Sequence, residues 1–311
     1  MARQSLRDFE CLVVDDGSSD ATREIAAACA LRDARFRLLA LPHRGLVAAL
    51  NAGLAACRAP LVARMDADDL MHQQRLRLQC AALETDPALA ALGCHVRIFP
   101  RAGLGRGMRA YERWLRSIDS PRRVREEAFV ECPLAHPTLL ARRAVLEGEG
   151  GWRERGWPED YDLVLRLLAA GHGVGVLPRR LLAWRDTPGR LSRSSASYTQ
   201  ERFTACKAEF LARGPLARDE RYVLWGYGAT GRALRRALAA YGRTPCHVVE
   251  LHPGRLGQRI HGAPVVAPEA LPGLPRRPIV VSVAGAGPRG EIRARLAGLG
   301  FRELRDFVCA A

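Results

Sequence analysis

Lysine is nearly absent from this chain: of 48 basic residues, only Lys207 is a lysine and 47 are arginine. Beside abundant Ala and Gly, so lopsided a ratio matches a GC-rich genome's codon bias rather than selection for phosphate contacts. The formal charge of +15 is therefore no nucleic-acid footprint by itself. Aromatic residues are scarce, at 6%, and nowhere alternate with basic ones as single-strand binders require. Nucleic acid is thus not an expected partner, and only a mild attraction to anionic head groups or nucleotide phosphates is left. No stretch approaches the roughly 20 consecutive apolar residues of a membrane span. Residues Met1 to Asp8 lack the apolar core of a secretory signal. The expected location is the cytoplasm, with peripheral association at the membrane's inner face left open. None of the nine cysteines forms a C-x-x-C pair, which points to reduced, mostly buried thiols rather than a metal site or disulfide framework.

With 48% apolar and 26% charged residues, the 311-residue chain has the balance of a soluble globular protein and the length of two domains. The boundary is expected where a helix ending in Phe210-Leu211-Ala212 meets the breaker Arg213-Gly214-Pro215. Residues 1–213 then form one domain and 218–311 the other. In the first, apolar runs such as Phe9–Val14, Arg37–Ala40, Pro60–Met65 and Leu92–Ile98 alternate with helical patterns over Ala21–Leu31, Gly45–Cys57 and Gln73–Glu84. That alternation predicts an α/β fold, a mostly parallel sheet with helices on both faces, whose ligands lie beyond the strands' carboxyl ends.

Two acidic clusters fall at such ends, and a third precedes a helix. Asp66-Ala67-Asp68 sets two carboxylates just past a strand, suited to Mg²⁺ or Mn²⁺, which take oxygen ligands and keep positions open for phosphate. The plainer alternative makes Asp69 a helix cap and leaves Asp66 and Asp68 solvated. Asp15-Asp16-Gly17-Ser18 is either a carboxylate pair for a nucleotide base or a strand–turn–helix junction with a cap. Glu159-Asp160-Tyr161-Asp162 precedes a helix, where the helix dipole favours an ionised acid able to take a proton from a hydroxyl, or merely caps. In the second domain Gly226-x-Gly228-x-x-Gly231 follows a strand and opens a helix, and Glu250 ends the next strand. This fits a dinucleotide fingerprint, with phosphate at the helix N-terminus and Glu250 on a ribose. About 94 residues is only half a dinucleotide fold, and no group for hydride transfer is evident.

Phe9-Glu10-x-Leu-Val-Val-Asp15-Asp16-Gly17-Ser18-Ser19-Asp20, Asn51-Ala52-Gly53-Leu54, Arg64-Met65-Asp66-Ala67-Asp68-Asp69 and Arg75-Leu76 resemble family 2 glycosyltransferases of the GT-A fold. His136-Pro137-Thr138, Glu159-Asp160-Tyr161-Asp162-Leu163 and Pro188-Gly189-Arg190-Leu191-Ser192-Arg193 continue the resemblance in order, over roughly residues 5–210. It implies transfer of a sugar from a nucleotide-diphosphate sugar to a hydroxyl, with inversion, for a surface polysaccharide or cell-envelope glycan. The acceptor it implies is a glycan or lipid-linked molecule. By the same resemblance Asp15 and Asp16 contact the nucleotide, and Asp66 and Asp68 hold Mg²⁺ or Mn²⁺ against the diphosphate. Asp160 is the base, Glu159 shapes the acceptor site, and Arg193 lies in a basic segment over the diphosphate. His136 and Trp152 are either acceptor-side residues or a packed pair. Family members carry a further strand and helix before the segment matching Phe9–Asp16, so the natural gene is expected to extend upstream. The last 94 residues resemble Rossmann-like modules appended to bacterial sugar-modifying enzymes. Two other readings stand beside the transferase: a nucleotide-binding oxidoreductase or regulatory module centred on Gly226–Gly231, with a dinucleotide cofactor, and a non-catalytic relic.

Overall fold

The computed structural model describes residues 1–311 except 188, 191, 192 and 194. Contacts divide the chain into two compact units. The first comprises Met1–Pro121, Leu134–Arg155 and Asp162–Arg190; the second comprises Arg122–Pro133, Gly156–Tyr161 and Leu191–Ala311.

In the first unit β1 (Cys11–Asp15) and β2 (Phe36–Ala40) pair in parallel as a two-stranded sheet, joined through α1 (Thr22–Arg32). After α2 (Leu46–Ala56), β3 (Leu61–Ala63) opens a five-stranded sheet that also contains β4 (Leu70–Met71), β5 (Leu89–Phe99), β6 (Leu140–Arg142) and β7 (Gly173–Arg185). Its order is β3-β6-β5-β7-β4. Only the β5–β7 pairing is parallel, and the other three are antiparallel. The expectation of a mostly parallel sheet is therefore corrected to a mixed one. The physical reason lies in β4 and β6, two and three residues long, which are too short to carry a periodic pattern and have no crossover helix to announce them.

Strand β5 lies between β6 and β7, and residues 89–96 are buried in succession. A strand covered on both faces has no solvent side, so its apolar run is nearly continuous. Cys94, Val96 and Ile98 pack with Leu104, Leu182 and Trp184, and with Leu115 of α4 (Arg106–Arg116). Leu92 packs with Leu76 and Leu83 of α3 (Arg75–Thr85), and Met1, Leu6 and Phe9 join that cluster. Met65 and Met71, on either side of the acidic turn at 66–69, pack against these two cores.

The second unit begins with α5 (Pro121–Glu127), of which Pro121 lies in the first, and includes the first turn of α7 (Glu159–Ala169), which follows α6 (Arg143–Gly148) in the chain. It continues with α8 (Gln200–Arg213), β8 (Arg221–Trp225), α9 (Ala229–Ala239), β9 (Thr244–Val249), β10 (Arg259–Ile260), β11 (Ala263–Val266), β12 (Ile279–Val281), α10 (Ala286–Gly298) and β13 (Phe307–Cys309). The sheet order is β10-β11-β9-β8-β12-β13, parallel throughout except for the β10 edge. Strand β8 shows why helices cover both faces. Tyr222 and Leu224 face Leu234 and Leu238 of α9 and Leu211 of α8, whereas Val223 and Trp225 face Ile292 and Leu296 of α10.

The breaker at Arg213-Gly214-Pro215 ends α8, yet α8 packs within the second unit through Ala208, Leu211 and Ala212. The segment 122–133 joins the same unit through charge. Glu127, 1% exposed, pairs with Arg123, Arg289 and Arg293 at 2.8, 3.5 and 2.8 Å. Removing one partner from such a buried group costs about 3–5 kcal/mol, because the remaining charge is left uncompensated. Lys207, from α8, donates to the carbonyls of Val130 and Ala310 at 2.7 and 3.3 Å. Among the described residues no helix is long and apolar enough to cross a membrane.

Candidate active site

The turn after β1 is built around Gly17, whose φ of +78° suits glycine and whose missing Cβ would lie 2.8 Å from the His43 amide. Asp15 is buried, accepting from the Ser18 amide at 3.1 Å and pairing with Arg23 of α1 at 2.9 Å. These bonds, Ser18 foremost, hold its carboxyl below the usual range. Asp16 accepts from the Arg44 and Gly45 amides, each at 2.9 Å, and sits 2.9 Å from His43 Nδ1. It thereby closes the N-terminus of α2, and the Arg44 amide leads the interactions that lower its pKa. Both acids thus do the work of the junction that the sequence left as an alternative.

Asn51 of α2 has a role that its motif did not reveal. Its side chain donates to the Trp152 carbonyl at 2.8 Å and accepts from the Trp152 amide at 2.9 Å. The Trp152 indole in turn donates to His136 Nε2 at 2.9 Å, which assigns the imidazole proton to Nδ1. His136 and Trp152 are both buried, so of the two readings the packed pair is the one found.

Beyond β3 lies the acidic group. Asp66, Asp68 and Asp69 each offer a carboxylate oxygen, all within 4.8 Å of one another. Asp66 is gripped by Arg64 through two bonds of 2.7 and 2.5 Å. Asp68 is exposed, and its backbone carbonyl accepts from Arg185 Nε at 2.7 Å. Asp69 does not cap α3, which starts at Arg75. Instead its Oδ1 accepts the Arg185 amide at 2.7 Å, and its buried Oδ2 has no hydrogen-bond partner. Burial, then the charges of Asp66 and Asp68, push its pKa up to about 6. Three hard oxygens with one buried and unsatisfied is a donor set that fits a divalent cation. Arg75, fully buried beneath this region, donates to the Arg64 carbonyl at 3.0 Å and to Gln79 at 2.8 Å.

Asp69 was absent from the residues that the sequence singled out as ligands. Asp69→Asn is expected to raise the metal-free protein's melting stability by on the order of 1 kcal/mol, because it removes a buried negative charge beside two others. The same change should weaken Mn²⁺ binding. Thermal melts with and without Mn²⁺ check both signs, and a variant that is less stable and equally metal-responsive excludes the assignment.

In the second unit Glu159 opens α7 and is buried, with Oε2 accepting from the Tyr198 hydroxyl at 2.6 Å. Asp160 Oδ1 accepts the Tyr161 amide at 2.8 Å, so the acid sits in the helix's first turn, as its pattern suggested. Arg193 is exposed; of its motif, Pro188, Leu191 and Ser192 lie outside the described residues.

The glycine loop after β8 is closely packed. Gly226 has φ +92°, and a Cβ on Gly231 would lie 2.3 Å from the Gly226 carbonyl oxygen. Gly228 caps α9 by its backbone. Glu250, at the end of β9, accepts the Tyr227 amide at 2.8 Å and pairs with Arg255 at 3.2 Å, so its carboxylate is tied to the loop itself.

Residues 1–148 match the family model for glycosyl transferase family 2. Over this stretch, just under half of the chain, the sequence is similar to family 2 glycosyltransferase domains. The chain is similar to the amylovoran biosynthesis glycosyltransferase AmsE of Erwinia amylovora, with 31% identity over 187 residues, 59% of this chain and 66% of that protein. It is also similar to EpsE of Bacillus subtilis, named as a candidate glycosyltransferase, at 29% identity over 63% of this chain and 69% of the relative. The matched stretch thus spans about two thirds of each relative's length. Among solved structures, a mannosyltransferase from Pyrobaculum calidifontis, in complex with GDP-Man and Mn²⁺, aligns with a TM-score of 0.50 and 20% identity. That alignment covers 77% of this chain and 67% of the other, and supports the same α/β GT-A fold with its mixed sheet. The glycosyltransferase domain is that of an enzyme, and these likenesses favour the transferase over the oxidoreductase reading.

Proposed function

We propose that the chain moves a sugar from a nucleotide-diphosphate sugar to a hydroxyl of a glycan or lipid-linked acceptor, with inversion at the anomeric carbon, in making a surface polysaccharide or cell-envelope glycan. The observation that carries this is the trio Asp66, Asp68 and Asp69, with one buried oxygen left without a partner. The names of the relatives and the Mn²⁺ and GDP-Man of the mannosyltransferase support it. Asp66 and Asp68, with Asp69 behind them, would hold Mg²⁺ or Mn²⁺. A cation there would offset the charge that develops on the departing diphosphate.

The chain's own residues supply the rest. Asp16, with Asp15 behind it, fixes the turn that would meet the nucleotide base. Arg193 offers an exposed cation for the diphosphate. Asp160 takes the proton of the attacking hydroxyl, which is a poor nucleophile until it loses that proton. Glu159 shapes the acceptor side. Peripheral attachment at the membrane's inner face belongs to the same proposal. A screen of UDP- and GDP-sugars with Mn²⁺ against a membrane lipid extract, read by mass spectrometry, tests the whole. A glycosylated lipid or glycan product is expected, and hydride transfer from NAD(H) without any sugar transfer would overturn it.

The second reading concerns the Rossmann-like second domain, 218–311 in the sequence. It rests on the parallel order β11-β9-β8-β12-β13, which reverses direction between β8 and β12, where such sheets take ligands. Gly226, Gly228 and Gly231 would lie against a nucleotide's phosphates, with Glu250 nearby. Titration of NAD(H) and of UDP into the full chain and into Gly228→Val separates a nucleotide site from a purely structural loop.

A further inference from the structure

Residues 87–118 carry six arginines and a single acid, Glu112, which places a third of the chain's +15 charge in a tenth of its length. That one acid is buried, where it accepts from the Ile98 amide at 2.9 Å and pairs with Arg101. Four of the arginines, Arg106, Arg109, Arg113 and Arg116, lie in α4, spaced three, four and three residues apart. At about 100° per residue, this spacing gathers them within an arc of about 80°, in a row about 15 Å long. The other side of the helix is apolar, and Met108, Tyr111, Trp114 and Leu115 pack into the core around β5. Arg109 is tied to the Leu104 and Arg101 carbonyls, each at 3.0 Å. Arg106, Arg113 and Arg116 are exposed, and none has a hydrogen bond or ion pair among the described residues. The surface beside them is low. Gly105, Gly107 and Ala110 are exposed, and a Cβ on either glycine would meet nothing within 4 Å.

We infer that this face of α4 docks the protein on a membrane surface rich in anionic lipid headgroups, and does so by charge alone. The inference rests on the peripheral attachment proposed above, to which it gives a surface, and not on the transfer chemistry. A convex row of guanidinium groups with no acid among them complements a plane of lipid phosphates. Codon bias accounts for arginine in place of lysine; it does not account for the missing acids. Because the apolar side of α4 is already committed to the core, the helix lies on the headgroups and does not insert among acyl chains. The same commitment argues against single-stranded nucleic acid. Trp114 stacks on Tyr111 with ring centroids 5.6 Å apart, and Tyr111 meets Trp184 at 6.2 Å, so these rings are engaged with one another rather than offered to bases.

Co-sedimentation of the full chain with phosphatidylcholine vesicles, with and without phosphatidylglycerol, tests this in the absence of any sugar donor. Failure here therefore leaves the transferase reading untouched. The protein is expected on the anionic vesicles and not on the neutral ones. It should be released as the Debye length falls from about 10 Å at 0.1 M salt to about 3 Å at 1 M. Each arginine near such a surface is worth about fivefold in partitioning, so Arg106→Gln, Arg113→Gln and Arg116→Gln together should weaken binding on the order of 100-fold. Glutamine keeps the helix propensity, and if that triple variant fails to fold, Arg113→Glu alone should weaken binding about 20-fold. Arg7→Gln, Arg32→Gln and Arg58→Gln together remove the same charge from three exposed positions outside α4, and should weaken binding by less than about tenfold. Equal losses in the two triple variants, or equal binding of the parent to both kinds of vesicle, overturn the docking face. Duplex DNA that binds the parent and releases the α4 variant, while the vesicles hold both, overturns it in favour of nucleic acid.

Discussion

Asp160→Asn should bind the sugar nucleotide as the parent does and lose transfer by roughly 100- to 10,000-fold in kcat. The substitution is nearly isosteric. An asparagine oxygen can still accept the Tyr161 amide that Asp160 Oδ1 holds at 2.8 Å, so the first turn of α7 keeps its shape. What disappears is the capacity to take a proton. A sugar hydroxyl is scarcely ionised at neutral pH, and without a base its attack on the anomeric carbon must wait for water to remove the proton. Donor binding measured by calorimetry with Mn²⁺, set against transfer followed by mass spectrometry, separates the two steps. If the variant transfers at more than a tenth of the parental rate, the base is another residue.

Asp68→Ala should lower donor affinity about 100-fold in the presence of Mn²⁺ and leave it unchanged when the metal is chelated. Asp68 is the exposed member of the acidic trio, and the bond that holds its loop is made by its backbone carbonyl, to Arg185 Nε. Alanine preserves that bond. Loss of an exposed carboxylate away from any packing changes stability by no more than about 0.5 kcal/mol, so a fall in affinity would not reflect unfolding. Equal affinity of parent and variant for UDP- or GDP-sugars with Mn²⁺ would remove Asp68 from the set of ligands.

Much of the first unit was legible because its helices sit between apolar strands that carry a clear period, as at β1, α1 and β2. The short strands Leu70–Met71 and Leu140–Arg142 left no such trace, and with them went the mixed character of the sheet. Asp69 was missed for a local reason: an acid between a strand and a helix looks like a cap, and only the fold turns it toward Asp66 and Asp68. The segment Pro121-Arg122-Arg123-Val124-Arg125-Glu126-Glu127 was illegible for a non-local one. It has the composition of a solvated helix, yet Glu127 is buried against Arg289 and Arg293, more than 160 residues downstream, a pairing that no window along the chain contains. Tyr198 lay equally hidden, since a tyrosine near the start of a helix gives no sign that its hydroxyl reaches Glu159.

Lys207 is 4% exposed, its ammonium donates to the backbone carbonyls of Val130 and Ala310, and burial depresses its pKa. A chain whose one lysine is sealed in this way offers acylating reagents no side-chain amine until the second unit opens. Modification at that nitrogen, counted against time, becomes a clock for the opening itself.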